Sequence, residues 1–190
     1  MSTVHGQIEV ERKRQLPADG RTGIVEALAE SGWTADAPVT EVDTYYSRPD
    51  VDYMETVECL RVRRRGDFAE ITYKPASGTE TSGDGVIAKR ETNVEVGGAQ
   101  ADQADLLLES IGMRLLVRVE KHRTTYRHPL YPDASVSIDL LAGVGDYVET
   151  EVMSPDQEAA AATLKDVEEQ IGVTDLPVVD LPYRDLVLAR

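Results

Sequence analysis

Charged residues recur at alternate positions along this chain. Glu9, Glu11 and Lys13 are two apart, as are Arg61 and Arg63, Lys121 and Arg123, and Glu149 and Glu151. Lys74, Lys89, Glu91, Glu95 and Asp139 occupy equivalent positions in their own segments, with apolar residues such as Val10, Leu60, Val62, Ile138 and Leu140 interleaved. Successive side chains of an extended strand point to opposite faces, so each segment has one apolar and one charged face. Basic side chains in this number suit a polyanion, best a chain of phosphates, which Arg grips bidentately and Lys meets as a point charge. The carboxylates suit a hard divalent cation, Mg²⁺ or Mn²⁺, which takes oxygen ligands and bridges to phosphate. Together they describe a metal–polyphosphate site. The same alternation also suits an antiparallel sheet with one packed face and one face in water.

Composition tilts the choice. The 190 residues carry 35 Asp and Glu against 20 Lys and Arg, a formal net charge of −15. On a merely solvated face such a chain should place Asp, Glu and Thr. Instead four of its five lysines (Lys13, Lys74, Lys89 and Lys121, with Lys165 the exception) fall on the charged strand faces. If the sheet curls so that these faces turn inward, both signs line a polar lumen sized for a small ligand. Like charges buried there need neutralising by what they bind. The acidic balance argues against nucleic acid and anionic membrane as partners, since both need a positive surface. Scarce lysine with abundant Asp and Glu predicts a very salty cytosol, where screening removes self-repulsion.

The remaining signals are exclusions. No apolar run approaches the ~20 residues of a membrane span, and the N-terminus is charged and alternating rather than a signal peptide. Cys59 has no second cysteine to pair with and reads as an inert, buried thiol. His5, His122 and His128 lack metal-binding spacing, which argues against zinc. The expectation is a cytoplasmic protein.

Period-two patterning predicts strands over 6–15, 40–48, 58–65, 68–75, 87–96, 114–127, 134–141 and 146–153. Helices are predicted over 22–31, with Ile24, Val25, Leu28 and Ala29 on one face, and over 99–111, with Ala104, Leu107, Leu108 and Ile111. A third follows Ser154 as N-cap, carries Ala161, Leu164, Val167 and Ile171 as its stripe, and stops at Gly172. A short helix is expected near 182–189. Residues 78–85 read as a loop joining two strands, or as a flap over a site mouth. Tyr45 and Tyr46 could stack on a base or pack in a strand. With no composition break, residues 1–190 form one domain. The fold class expected is α+β, mainly antiparallel β; the eight predicted strands invite a closed or nearly closed barrel with helices outside, or an open sheet with one solvated face.

Glu9-Val10-Glu11-Arg12-Lys13 resembles the Glu-x-Glu-x-Lys signature of the CYTH superfamily, the triphosphate tunnel metalloenzymes. Its companions come in that family's order: DTYYSRPD at 43–50, LRVRRR at 60–65, TYKP at 72–75, KRETNVEV at 89–96, VEKHRTTYR at 119–127, VSIDLLAGVGDYVETEV at 136–152 and LPYRDLVL at 181–188. The resemblance implies a barrel whose lumen binds a triphosphate and a divalent metal. It implies Glu9, Glu11, Asp139, Glu149 and Glu151 as the metal-binding set. Lys13, Arg61, Arg63, Lys74, Lys121 and Arg123 become the phosphate grip, with Lys89 a weaker match, and Glu9, Glu11 and Lys13 the catalytic signature. Asn93 departs from it, standing where similar proteins often carry a further Glu. The closing segments look most like the class IV adenylyl cyclase branch, which converts ATP to cyclic AMP and pyrophosphate. Against that, His5 is followed by Gly6 where some bacterial cyclases carry a His-Phe pair. Inorganic or thiamine triphosphatase activity is the alternative, and a non-catalytic polyphosphate- or nucleotide-binding module the second. The resemblance also implies a homodimer.

Overall fold

A computed structural model describes residues 8–76 and 85–190. Among them ten strands form: β1 (Ile8–Leu16), β2 (Thr34–Ala35), β3 (Val39–Ser47), β4 (Cys59–Arg65), β5 (Phe68–Lys74), β6 (Ile87–Arg90), β7 (Thr92–Gly97), β8 (Arg114–His128), β9 (Tyr131–Leu141) and β10 (Gly145–Ser154). Four α-helices accompany them: α1 (Arg21–Glu30), α2 (Ala101–Ser110), α3 (Gln157–Gln170) and α4 (Tyr183–Leu188). The strands follow one another in a single sheet, in the order β6-β1-β10-β9-β8-β3-β4-β5-β7, with β2 pairing off that path to β8. The end strands β6 and β7 are consecutive in the chain, separated by Glu91 alone. The fold is therefore a nearly closed, mainly antiparallel barrel with one unsealed seam and helices outside. The eight expected strands become ten because 87–96 breaks at Glu91 and the short β2 is added. No described helix is long and apolar enough to cross a membrane.

Contacts divide the chain into two compact units. The first holds residues up to Pro38, 80–90 and 123–180, and is built around β1, paired to β10 along its whole length and to β6 through residues 8–11. The rest of that second edge is taken by the segment 177–179: Gln15 donates its N–H to the Pro177 carbonyl and Val179 donates to the Lys13 carbonyl. Helix α3 packs on β1 and β10. Leu164, Val167 and Ile171 of its stripe meet Val10, Val136, Ile138 and Val148 in the core. Each such side chain contributes about 1.5–3 kcal/mol by leaving water.

Two details of α3 differ from expectation. Its N-cap is Asp156, whose carboxylate accepts from the Glu158 and Ala159 N–H groups, while Ser154 accepts from Asp156 one turn earlier. The helix thus starts two residues late, and Ala160 rather than Ala161 is buried. The predicted stop holds: Gly172 takes φ +71°, a conformation a side chain would strain, and Val173 closes onto the Glu168 carbonyl.

The second unit comprises 39–79, 91–122 and 181–190. Its strands run β3-β4-β5-β7, the β4–β5 hairpin turning through Gly66 at φ +57° with Arg65 opposite Phe68. Helix α2 packs on β4 and β5 through Ala101, Ala104 and Leu108, against Tyr46, Leu60, Val62 and Ala69. Leu107 and Ile111, expected on that face, are exposed, because the buried stripe runs through Ala101, Ala104 and Leu108, which leaves Leu107 to its side, and Ile111 lies past the last helical residue. Ala29 of α1 is likewise exposed, leaving Leu28 as its buried anchor.

Candidate functional site

Helices fix which strand faces are free. In the first unit, Val10, Arg12 and Arg14 of β1 lie on the α3 side, so Glu9, Glu11 and Lys13 share the opposite face. Register then places Glu9 opposite Lys89, Lys13 opposite Glu149, and Glu11 opposite Glu151. Two of these pairs match opposite charges. Glu11 and Glu151 are like charges directly across a strand pair, a juxtaposition that a cation would favour. On the same sheet, Arg123 of β8 forks onto Asp139 of β9, Nε to Oδ1 at 2.7 Å, and also donates to Glu149 Oε1 at 2.7 Å. Asp139 is fully buried, and Glu9, Lys13 and Arg123 are nearly so.

The second unit supplies a denser cationic group. Its α2-facing residues are Leu60, Val62 and Arg64, so Cys59, Arg61 and Arg63 point the other way. There Arg63 forks onto Asp43, with Nε–Oδ1 and Nη2–Oδ2 both at 2.7 Å. Glu41 lies 3.3 Å from Lys121 Nζ, 3.4 Å from Arg63 and 3.5 Å from Arg65. Arg61 is held more loosely: its nearest carboxylate oxygen, on Asp43, is 3.7 Å away, and its buried Nε has no hydrogen-bond acceptor among the described residues. Burial resists ionisation of Asp43, but the charges of Arg63 and Arg61 outweigh it and hold the carboxyl well below the usual carboxylate range. Lys74 pairs with Glu91, while Asn93 and Glu95 on β7 are exposed.

Apart from Glu95, the residues expected to do chemistry are buried or half-buried rather than spread on an open surface. What sequence reading missed is Glu41 and Asp43. Their signal was present, since Glu41, Asp43, Tyr45 and Ser47 alternate along β3. The two tyrosines obscured it, because adjacent bulky side chains at 45 and 46 look like packing on both faces. Both do pack: Tyr46 is buried towards α2, donating to Asp105 at 2.8 Å, and Tyr45 is buried beside Asp43. Cys59 is half-buried on the charged face opposite Lys74, not in the core. His5 and residues 78–84 of the expected loop lie outside the described residues.

Among the described residues, no three His, Cys, Asp or Glu side chains come together as a metal cage. The opposed carboxylates of Glu11 and Glu151 nevertheless fit a hard cation. Mg²⁺ is ordinarily held by one or two carboxylates, with phosphate oxygens and water completing its shell.

Comparison with known proteins adds the following. The CYTH domain model matches residues 7–178. A Methanocaldococcus jannaschii protein named putative adenylate cyclase MJ0240 is 27% identical over 144 residues, 76% of each chain. Among solved structures, the PH1819 protein of Pyrococcus horikoshii superposes with a TM-score of 0.77 at 23% identity, covering 95% of this chain and 98% of its own. The putative adenylyl cyclase HpAC1 from Hippeastrum, described as having a dominant triphosphatase activity, reaches a TM-score of 0.68 at 14% identity, covering 97% and 96%.

Proposed function

Since the chain belongs to the CYTH domain family, whose enzymes act on triphosphates with the help of divalent metals, we propose that it converts ATP to cyclic AMP and pyrophosphate in the manner of class IV adenylyl cyclases. Arg61 carries the reading. A buried guanidinium with a donor unused and only a 3.7 Å approach to a carboxylate has capacity left for a phosphate oxygen.

Arg61, Arg63 and Lys121 bind and orient the phosphates, with Lys13, Lys74, Lys89 and Arg123 adding to the grip. Asp43 fixes Arg63, and Asp139 fixes Arg123, so that neither must be ordered when substrate arrives. Glu11 and Glu151, with Glu9, Glu149 and Asp139, are the candidate holders of Mg²⁺ or Mn²⁺. When bound, the cation neutralises charge on the phosphate oxygens. The ribose 3′-hydroxyl attacks the α-phosphorus, the bond from that phosphorus to the bridging oxygen breaks, and the hydroxyl proton is released.

A second reading is hydrolysis, in which water attacks a terminal phosphate. It draws support from the triphosphatase activity described for the Hippeastrum protein. Incubating the protein with ATP or tripolyphosphate, with Mg²⁺ or Mn²⁺ or after chelation, separates them. Cyclic AMP with pyrophosphate supports cyclisation; orthophosphate supports hydrolysis; binding without either product supports a binding module. Arg61→Ala is expected to weaken tripolyphosphate binding about tenfold or more by calorimetry, the loss of a charge-assisted hydrogen bond. Unchanged binding would remove Arg61 from the grip.

A further inference from the structure

The family match ends at residue 178, yet the segment beyond it reaches one of the buried cations. Tyr183 opens α4, and Lys121 Nζ lies 5.0 Å from the centroid of its ring. Glu41 approaches the same ammonium at 3.3 Å. Lys121 is 2% exposed. A lysine reaches such a place on a flexible four-carbon stem, and its charge is positioned only if its surroundings hold it. Asp43 also lies within electrostatic reach of it. An aromatic face attracts the ammonium through its quadrupole and holds it without adding a further negative charge.

Helix α4 is too short to stay in place by its own hydrogen bonds. Arg184, 1% exposed, secures it. Its guanidinium donates to the Tyr53 carbonyl at 2.6 Å and to the Glu58 carbonyl, and its Nε donates to Asp185 at 2.8 Å. The pinned loop includes Val57 at φ +54°, a conformation unfavourable for a β-branched residue. A buried cation spent on main-chain carbonyls, beside strained backbone, fixes the ring of the preceding residue closely.

We propose that Tyr183 is a positioning residue for Lys121, and that α4, anchored by Arg184, is thereby part of the triphosphate site. This rests on the reading of Lys121 as a phosphate ligand. Two measurements separate the inference from that reading. The ring should shift the Lys121 side-chain protons upfield in the NMR spectrum; Tyr183→Phe should keep the shift and Tyr183→Leu lose it. Tripolyphosphate affinity by calorimetry should follow the same order, near wild type for the Phe variant and about tenfold weaker for the Leu variant. A wild-type spectrum without the shift overturns the positioning. So does unchanged affinity in Tyr183→Leu with its melting temperature retained, or a Phe variant as impaired as the Leu variant. A wild-type protein that shows the shift but does not bind tripolyphosphate overturns the function proposed above instead. Should the Leu variant fail to fold, the wild-type shift and the Phe variant still decide.

Discussion

Single side chains here are tuned by what they touch. Tyr73 donates to Glu58 Oε1 at 2.6 Å, and Thr56 donates to Oε2 of the same carboxylate at 2.9 Å. That hydrogen bond, with burial second, pushes the Tyr73 phenol up to about 12 from its ordinary 10.0. A group that holds its proton more tightly when folded contributes stability that is complete below its unfolded value and is lost as pH rises through the folded one. Between pH 10 and about 12 the wild-type melting temperature should therefore fall more steeply than that of Tyr73→Phe. Parallel curves would show that the bond carries no such linkage. At the same scale, the charged positions of β1, β4, β8, β9 and β10 were legible because alternation is a one-dimensional signal. Their partners were not, since the Arg63–Asp43 fork depends on a strand pairing that no local pattern records.

Among elements, the best-defined junction is β1 with α3. Glu168, 1% exposed, takes Arg12 at 2.6 Å on Oε2 and Arg14 through both oxygens, at 2.9 Å each. Arg14 also holds the Thr174 and Leu176 carbonyls, at 2.8 and 2.7 Å. One strand thus uses its two faces for opposite purposes, with Glu9, Glu11 and Lys13 on one and the arginines tied to the helix on the other. Glu168→Ala leaves two buried guanidinium groups without their common partner, and should cost about 3–5 kcal/mol in denaturant unfolding. A loss within ~0.5 kcal/mol would mean the junction relaxes freely. The sequence assigns Arg12 and Arg14 no purpose, because the one carboxylate that explains them is 154 residues away from Arg14. The α3 stripe was readable from Leu164, Val167 and Ile171. Its cap was mistaken because Ser154 and Asp156 are both good caps, and only the path of the chain leaving β10 decides between them.

For the molecule as a whole, a net charge of −15 is a standing source of self-repulsion that mobile ions screen, whereas the buried ion groups are screened far less. Raising KCl from about 0.1 M to about 2 M should raise the melting temperature, a range over which the Debye length falls from ~10 Å to a few ångströms. A falling melting temperature would mean that exposed ion pairs, not repulsion, dominate the surface. The strands were legible from alternation, but closing them into a barrel rested on the family resemblance, and the break at Glu91 was not legible, since a single residue interrupts an otherwise continuous alternation. The arrangement around β1 also governs how the chain is assembled. Strand β1 finds its neighbours far along the chain, at 87–90, at 145–154 and at 177–179. Until residue 179 has been synthesised, that strand has unpaired edges, and its pairings must close over long sequence separations, which slows folding. Refolding is accordingly expected to be slow for a protein of this size, and nascent chains released before residue 180 to be the ones that need a chaperone.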